Sequence, residues 1–148
     1  MNADCFLDTN VLVYAVASDP EVADKRYRAL ALIESRDFAL SAQVLQEFYV
    51  TVTRKLSVPL GPDEALAWIE QLETFPCVEI DAALVKIAAE VSERYRTSYW
   101  DGAILAAAAK CGVETVYSED LNHGQRYGEV MVINPFAEPD AAPGLIQE

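Results

Sequence analysis

The chain has 148 residues, 52% hydrophobic and 24% charged, which suits one folded domain that buries its core without disulfides or a structural metal. A formal net charge of −13 with only 11 Lys and Arg counts against avid non-specific binding of nucleic acid, since affinity for phosphate backbones comes mainly from cations. No apolar run reaches the roughly 18 residues of a membrane span, and Met1-Asn2-Ala3-Asp4 lacks the basic and apolar start of a signal peptide, so a cytoplasmic protein with no membrane partner is expected.

In chain order, Cys5-Phe6-Leu7, extended by Ala3-Asp4, reads as a short buried strand that stops at Asp8. Residues 11–17 continue as a first helix, and residues 21–35 as a partly amphipathic one with Val22, Tyr27, Leu30, Leu32 and Ile33 between charged positions. Phe38-Ala39-Leu40 is a second strand, and Ser41 caps a helix over residues 42–56 whose stripe is Val44, Leu45, Phe48, Tyr49, Val52 and Leu56. Pro59-Leu60-Gly61-Pro62 is the clearest break, and Pro62 opens the next helix. Residues 77–80 form a third strand, and Asp81 caps a helix to about residue 95. Ser98 caps another over residues 99–111 that ends at Gly112. Residues 114–117 and 130–133 supply the last two strands.

Strands alternating with helices predict an α/β fold: a mostly parallel central sheet of about five strands with helices on both faces. The domain is expected over residues 1–136, with a flexible tail over 137–148 rich in proline. Cys5, Cys77 and Cys111 are odd in number and scattered, which argues against a disulfide framework and a thiolate zinc site. Cys5 and Cys77 lie in strand-like runs and read as buried reduced thiols.

Ligands of such sheets gather beyond the C-terminal ends of the strands, near the point where strand order reverses. Asp8 and Asp120 both follow strands and so stand at that edge. Asp8 also reads as a helix cap and Asp120 as a turn residue. Asp101, in Ser98-x-x-Asp101, resembles a capping-box position, but the helix it opens is apolar on every side, and a carboxylate at its mouth is costly unless paired or metal-bound. Glu47 lies off the apolar stripe of its helix, where a solvated Glu or a loose pair with Arg54 is the default. A set of hard oxygen donors suits Mg2+ or Mn2+, held by a few carboxylates, water and a substrate phosphate.

Other chemistries find no support. His123 is the only histidine, which excludes acid–base catalysis by a histidine pair, and in Asn122-His123-Gly124 it reads as a structural loop residue. No phosphate-cradling glycine loop and no serine nucleophile elbow is present. An aspartyl-phosphate enzyme would want a second acid where Asn10 stands, or a lysine after a late strand.

Taken together, Phe6-Leu7-Asp8-Thr9-Asn10-Val11-Leu12, Val44-Leu45-Gln46-Glu47-Phe48-Tyr49, Ser98-Tyr99-Trp100-Asp101-Gly102-Ala103-Ile104 and Tyr117-Ser118-Glu119-Asp120-Leu121 closely resemble PIN-domain proteins, with the VapC-like toxins of bacterial toxin–antitoxin pairs as the nearest subgroup. The resemblance runs in order through all but the tail. It implies a single PIN-like domain and a Mg2+- or Mn2+-dependent endoribonuclease, the toxin of a toxin–antitoxin system. A non-toxin PIN-domain RNA-processing nuclease, or a non-catalytic binding module on the same fold, is the alternative. By position, Asp8, Asp101 and Asp120 match the metal-side acids of the family, and Glu47 an acid that acts through a metal-bound water. Thr9, Asn10, Ser118 and Arg54 are expected to support the pocket, with Lys25, Arg26, Arg28 and Lys55 as further rim cations. The partners implied are an RNA substrate, a cognate antitoxin and a second copy in a homodimer.

Overall fold

The computed structural model describes residues 3–138. The flexible tail expected over 137–148 therefore lies, beyond Glu138, outside the described residues. Strand β1 (Cys5–Leu7) leads into helix α1 (Thr9–Val16), then a 3-10 turn (Pro20–Val22) and α2 (Ala23–Ser35). Next come β2 (Phe38–Ser41), α3 (Ala42–Arg54), α4 (Pro62–Leu72), β3 (Cys77–Val78), α5 (Ala82–Tyr95) and α6 (Tyr99–Cys111). Three strands close the domain: β4 (Thr115–Tyr117), β5 (Arg126–Tyr127) and β6 (Val130–Ile133). No described helix is long and apolar enough to cross a membrane.

The strands lie in the order β3-β2-β1-β4-β6-β5, all parallel except the pairing of β5 with β6. The central strands are buried on both faces, as parallel strands under helices must be: Phe6, Leu7, Phe38, Leu40, Val116 and Val132 are fully enclosed. The chain builds outward from β1 through β2 to β3, then returns to the other flank of β1 with β4. The reversal of strand order therefore falls between β1 and β4, and the crevice beyond their C-terminal ends is where such sheets take ligands.

Beyond small shifts at element ends, such as β3 stopping at Val78 and α3 at Arg54, four differences between sequence and structure have a local cause. The helix after β1 begins at Thr9, two residues earlier than periodicity suggested, because Asp8 accepts the Thr9 N–H and ends the strand at once. Pro20 tightens the start of the second helix into a 3-10 turn. The sheet has a sixth strand, β5, too short to show a period of two; it pairs with β6 across Gly128-Glu129, with Gly128 at φ 65°. Cys77 is only half-buried because β3 is an edge strand, whereas Cys5, on central β1, is enclosed and burial pushes its thiol up to about 11. His123 is a structural loop residue as expected, its Nδ1 accepting the Asn134 N–H at 2.9 Å.

Helices α5 and α6 form the most extensive helix pair, and α6 is buried from Gly102 to Ala108. Ser98 caps α6 by accepting the Asp101 N–H at 3.0 Å, and Gly112 closes it in the left-handed region at φ 76°.

Candidate active site

Four carboxylates border the crevice between β1 and β4, each delivered by a different element. Asp8 is the first residue past β1, and its own N–H continues the ladder to Tyr117 O at 3.0 Å. Its side chain is 3% exposed. Oδ1 accepts the Thr9 N–H at 2.7 Å, and Oδ2 accepts the Ser118 hydroxyl at 2.8 Å. Burial raises the Asp8 carboxyl from 3.8 to about 7; the Ser118 and Thr9 hydrogen bonds pull it down, while Asp120 and Glu47 push it further up. All its bonded donors are neutral. Among the described residues the ion pairs are Lys25–Glu119 and Arg28–Asp24, so no Lys or Arg is paired with any of the four acids.

Ser118, fully buried just past β4, organises the loop that carries Asp120. Its N–H is held by Ile133 O, and its Oγ accepts from the N–H of Asp120 at 3.0 Å while donating to Asp8. Asn10 grips the same loop twice: Oδ1 accepts the Glu119 N–H at 3.1 Å, and Nδ2 donates to Asp120 Oδ2 at 3.1 Å. Glu119 turns toward α1 and α2, where Lys25 and the Tyr14 hydroxyl hold it. Removing the Ser118 hydroxyl leaves one buried acceptor without its donor and two backbone N–H groups without their acceptor. Ser118→Ala is expected to lose about 1–3 kcal/mol of stability and to raise the Asp8 carboxyl further, since the lost bond lowers it. Thermal melts and an NMR titration of Asp8 read both effects; an unmoved Asp8 titration would remove Ser118 from the site.

Glu47 is half-buried rather than solvated. Its Oε1 accepts the Thr9 hydroxyl at 2.7 Å, and Oε2 accepts Gln43 Nε2 at 3.0 Å. Gln43 was not singled out in the sequence, although a polar residue one turn before Glu47 on the same flank of α3 was the available signal. The same amide donates to Trp100 O at 3.2 Å, tying α3 to the first turn of α6. Asp101 stands in that turn, half-buried, and its carboxyl is raised by burial and then by Asp120, with a smaller push from Glu47, against the Ser98 bond that lowers it. Asp8, Glu47 and Asp120 are thus joined through Thr9, Ser118 and Asn10, and Asp101 feels Asp120 and Glu47 through space.

Arg54 is exposed at the end of α3 and, among the described residues, makes no ion pair with Glu47. Lys25 is taken up by Glu119, and Arg28 by Asp24 and the Ala137 carbonyl. Lys55 is exposed and lines a groove of about 550 Å³ that also contains Glu47 and Asp120.

The donor set suits a hard divalent cation: oxygen ligands only, one carboxylate buried against its own ionisation, and no protein cation paired with the cluster. Among the described residues no three Asp, Glu, His or Cys side chains converge as a ready-made metal cage. Magnesium does not require one, because it keeps several waters and is usually held by one or two carboxylates plus substrate oxygens.

A family model described as PIN domain matches residues 5–128. No curated protein matches the sequence. Among solved structures, a sarcin–ricin-loop-cleaving VapC toxin from Mycobacterium tuberculosis is 23% identical with a TM-score of 0.64, over 78% of this chain and 89% of that one. A toxin–antitoxin complex from Klebsiella pneumoniae is 18% identical, TM-score 0.63, covering 89% and 98%. FitAcB from Neisseria gonorrhoeae is 24% identical, TM-score 0.59, covering 88% and 97%. At these identities the likeness is one of fold.

Proposed function

The chain belongs to the PIN domain family, and from that premise we propose that it is a Mg2+- or Mn2+-dependent endoribonuclease, acting as the toxin of a cytoplasmic toxin–antitoxin pair. The observation that carries this reading is the buried Asp8 carboxylate, held only by neutral donors and raised to about 7, among Glu47, Asp101 and Asp120 at the reversal point of the sheet. Such a cluster repels itself until a cation arrives.

Asp8, Asp101 and Asp120 would hold the cation, directly or through the waters it keeps, with Glu47 reaching it through water. When bound, the ion would supply positive charge that lowers the pKa of water and offsets charge on the departing oxygen. Glu47 has both oxygens fixed, by Thr9 and Gln43, so it is oriented to accept a proton from the attacking water. The water attacks phosphorus in line as its proton passes to Glu47, the P–O ester bond opposite breaks, and the departing oxygen takes a proton from solvent as the strand is cut. Lys55, in the groove beside Glu47, is placed to meet a neighbouring phosphate.

The toxin role is supported by the fold, shared with proteins whose names mark them as toxins or toxin–antitoxin complexes. A net charge of −13 suits a basic antitoxin segment lying in the groove. Exposed apolar side chains on α4 and α5, among them Leu66, Trp68, Val85 and Ile87, are consistent with a homodimer. The test is cleavage of structured RNA in magnesium or manganese, against chelator and against Asp101→Asn. Cutting is expected only with the ion and the intact acid; a wild type inert with every divalent ion would sink the enzyme reading. Growth arrest on expression, relieved by the product of an adjacent gene, separates a toxin from an RNA-processing nuclease.

A further inference from the structure

Trp100 is 63% exposed although it directly precedes Asp101 and the buried body of α6. A single exposed apolar side chain is ordinary, but this indole is carried by the residue next to Asp101, and a large aromatic contributes most when it is covered. Its backbone is fixed to the acid cluster: the Gln43 amide that holds Glu47 also donates to Trp100 O. Its ring is braced by Tyr99, with centroids 4.9 Å apart and planes at 86°. In an edge-to-face pair, whichever ring supplies the face, Tyr99 leaves at least one face of the indole uncovered.

Charge decides what that face receives. The chain carries −13, and Lys25 and Arg28 are already paired with acids. With those two taken up, Arg54 and Lys55 remain as exposed cations at the end of α3, and against a net charge of −13 contacts that do not depend on charge gain weight in holding RNA. Stacking of a base on an aromatic ring is such a contact, tolerant of sequence because every base has a π-face. A base within a duplex has both faces covered by its neighbours, so only an unpaired one can dock. We propose that Trp100 is a stacking platform for an unpaired nucleobase of the RNA strand, next to the phosphate that the acid cluster cuts. This rests on the nuclease reading above.

Steady-state cleavage of a short single-stranded oligoribonucleotide tests it. Trp100→Ala is expected to raise KM about tenfold while leaving kcat within about twofold, and Trp100→Phe to keep most of the affinity. Because the chain has two tryptophans, Trp68→Phe leaves Trp100 as the only indole. Its emission should fall on stopped-flow mixing with the single strand in magnesium, and stay unchanged with the same sequence annealed as a duplex. A wild type that cuts the strand while Trp100→Ala cuts it with the same KM overturns the platform and leaves the nuclease standing. Equal quenching by duplex and single strand also overturns the platform. A wild type that cuts structured RNA but neither cuts the single strand nor responds to it overturns the platform and leaves the nuclease standing.

Discussion

Asp8→Asn is expected to abolish RNA cleavage, by about a thousandfold or more, equivalent to roughly 4 kcal/mol of transition-state stabilisation, while making the metal-free protein more stable at neutral pH. The two effects have one cause. Asn keeps the cap on α1 and can still meet Thr9 N–H and Ser118, but it carries no charge to bury and none to offer a cation. In the wild type the Asp8 carboxyl rises from 3.8 to about 7, chiefly through burial. That gap corresponds to roughly 4 kcal/mol.

The sign follows from proton counting. Between about pH 4 and 7 the folded state holds a proton on Asp8 that the unfolded chain has released. Stability therefore falls as pH rises through that window. Below it both states are protonated and Asp8 contributes nothing. The metal-free wild type should melt at a lower temperature at pH 8 than at pH 5, and Asp8→Asn should flatten that slope. A divalent ion that binds the ionised carboxylate reverses the penalty, so magnesium should raise the wild-type Tm more at pH 8 than at pH 5 and leave the variant nearly unmoved. Melting curves at the two pH values, with and without magnesium, read all of this. A wild type equally stable at both would mean that Asp8 is solvated. A variant that retains a tenth of the activity would mean that Asp8 is not part of the reacting centre.

How far the site could be read from the sequence depended on whether each residue's environment is local. Asp8 and Asp120 were legible because an apolar run followed by an acid marks a strand end, and strand ends of a parallel sheet converge. The burial of α6 was legible from Ala103 to Ala108, which leaves no polar face. Glu47 was not legible from periodicity: its burial depends on Thr9, a residue of α1 far away in the chain, and its helix alone points to solvent or to Arg54. Only the resemblance singled it out. Gln43 was missed for the same reason, since one of its two acceptors is the Trp100 carbonyl, 57 residues away. Lys25 looked like a free rim cation because Glu119, which neutralises it, lies 94 residues further on. Strand β5 escaped because two residues carry no period at all.

The role of Gly102 is a further contact invisible in one dimension, and it carries the second large effect. A Cβ at this position would stand 2.7 Å from Ser92 Cβ, 2.9 Å from Ala88 O and 2.9 Å from Ser92 Cα. Two of those three neighbours are backbone of α5, so no rotamer change relieves them. Alanine is intrinsically worth up to about 1 kcal/mol over glycine inside a helix, which sets the overlap against propensity. Overpacking in a close helix pair costs about 1–3 kcal/mol, and here the backbone has to move, so the overlap wins. Gly102→Ala should lower Tm by several degrees, at about 2–4 °C per kcal/mol for a domain of this size. Because α6 must shift away from α5 at the residue next to Asp101, cleavage should also fall, by about tenfold, well below the melting temperature. Ser92→Gly in the same chain removes only the Ser92 Cβ contact and should restore less than half of the lost stability, since Ala88 O and Ser92 Cα remain. Full rescue by Ser92→Gly would locate the clash in that side chain alone. An unchanged Tm in Gly102→Ala would show that α5 yields freely, and the close packing of α5 on α6 would then not be what fixes Asp101 at the crevice.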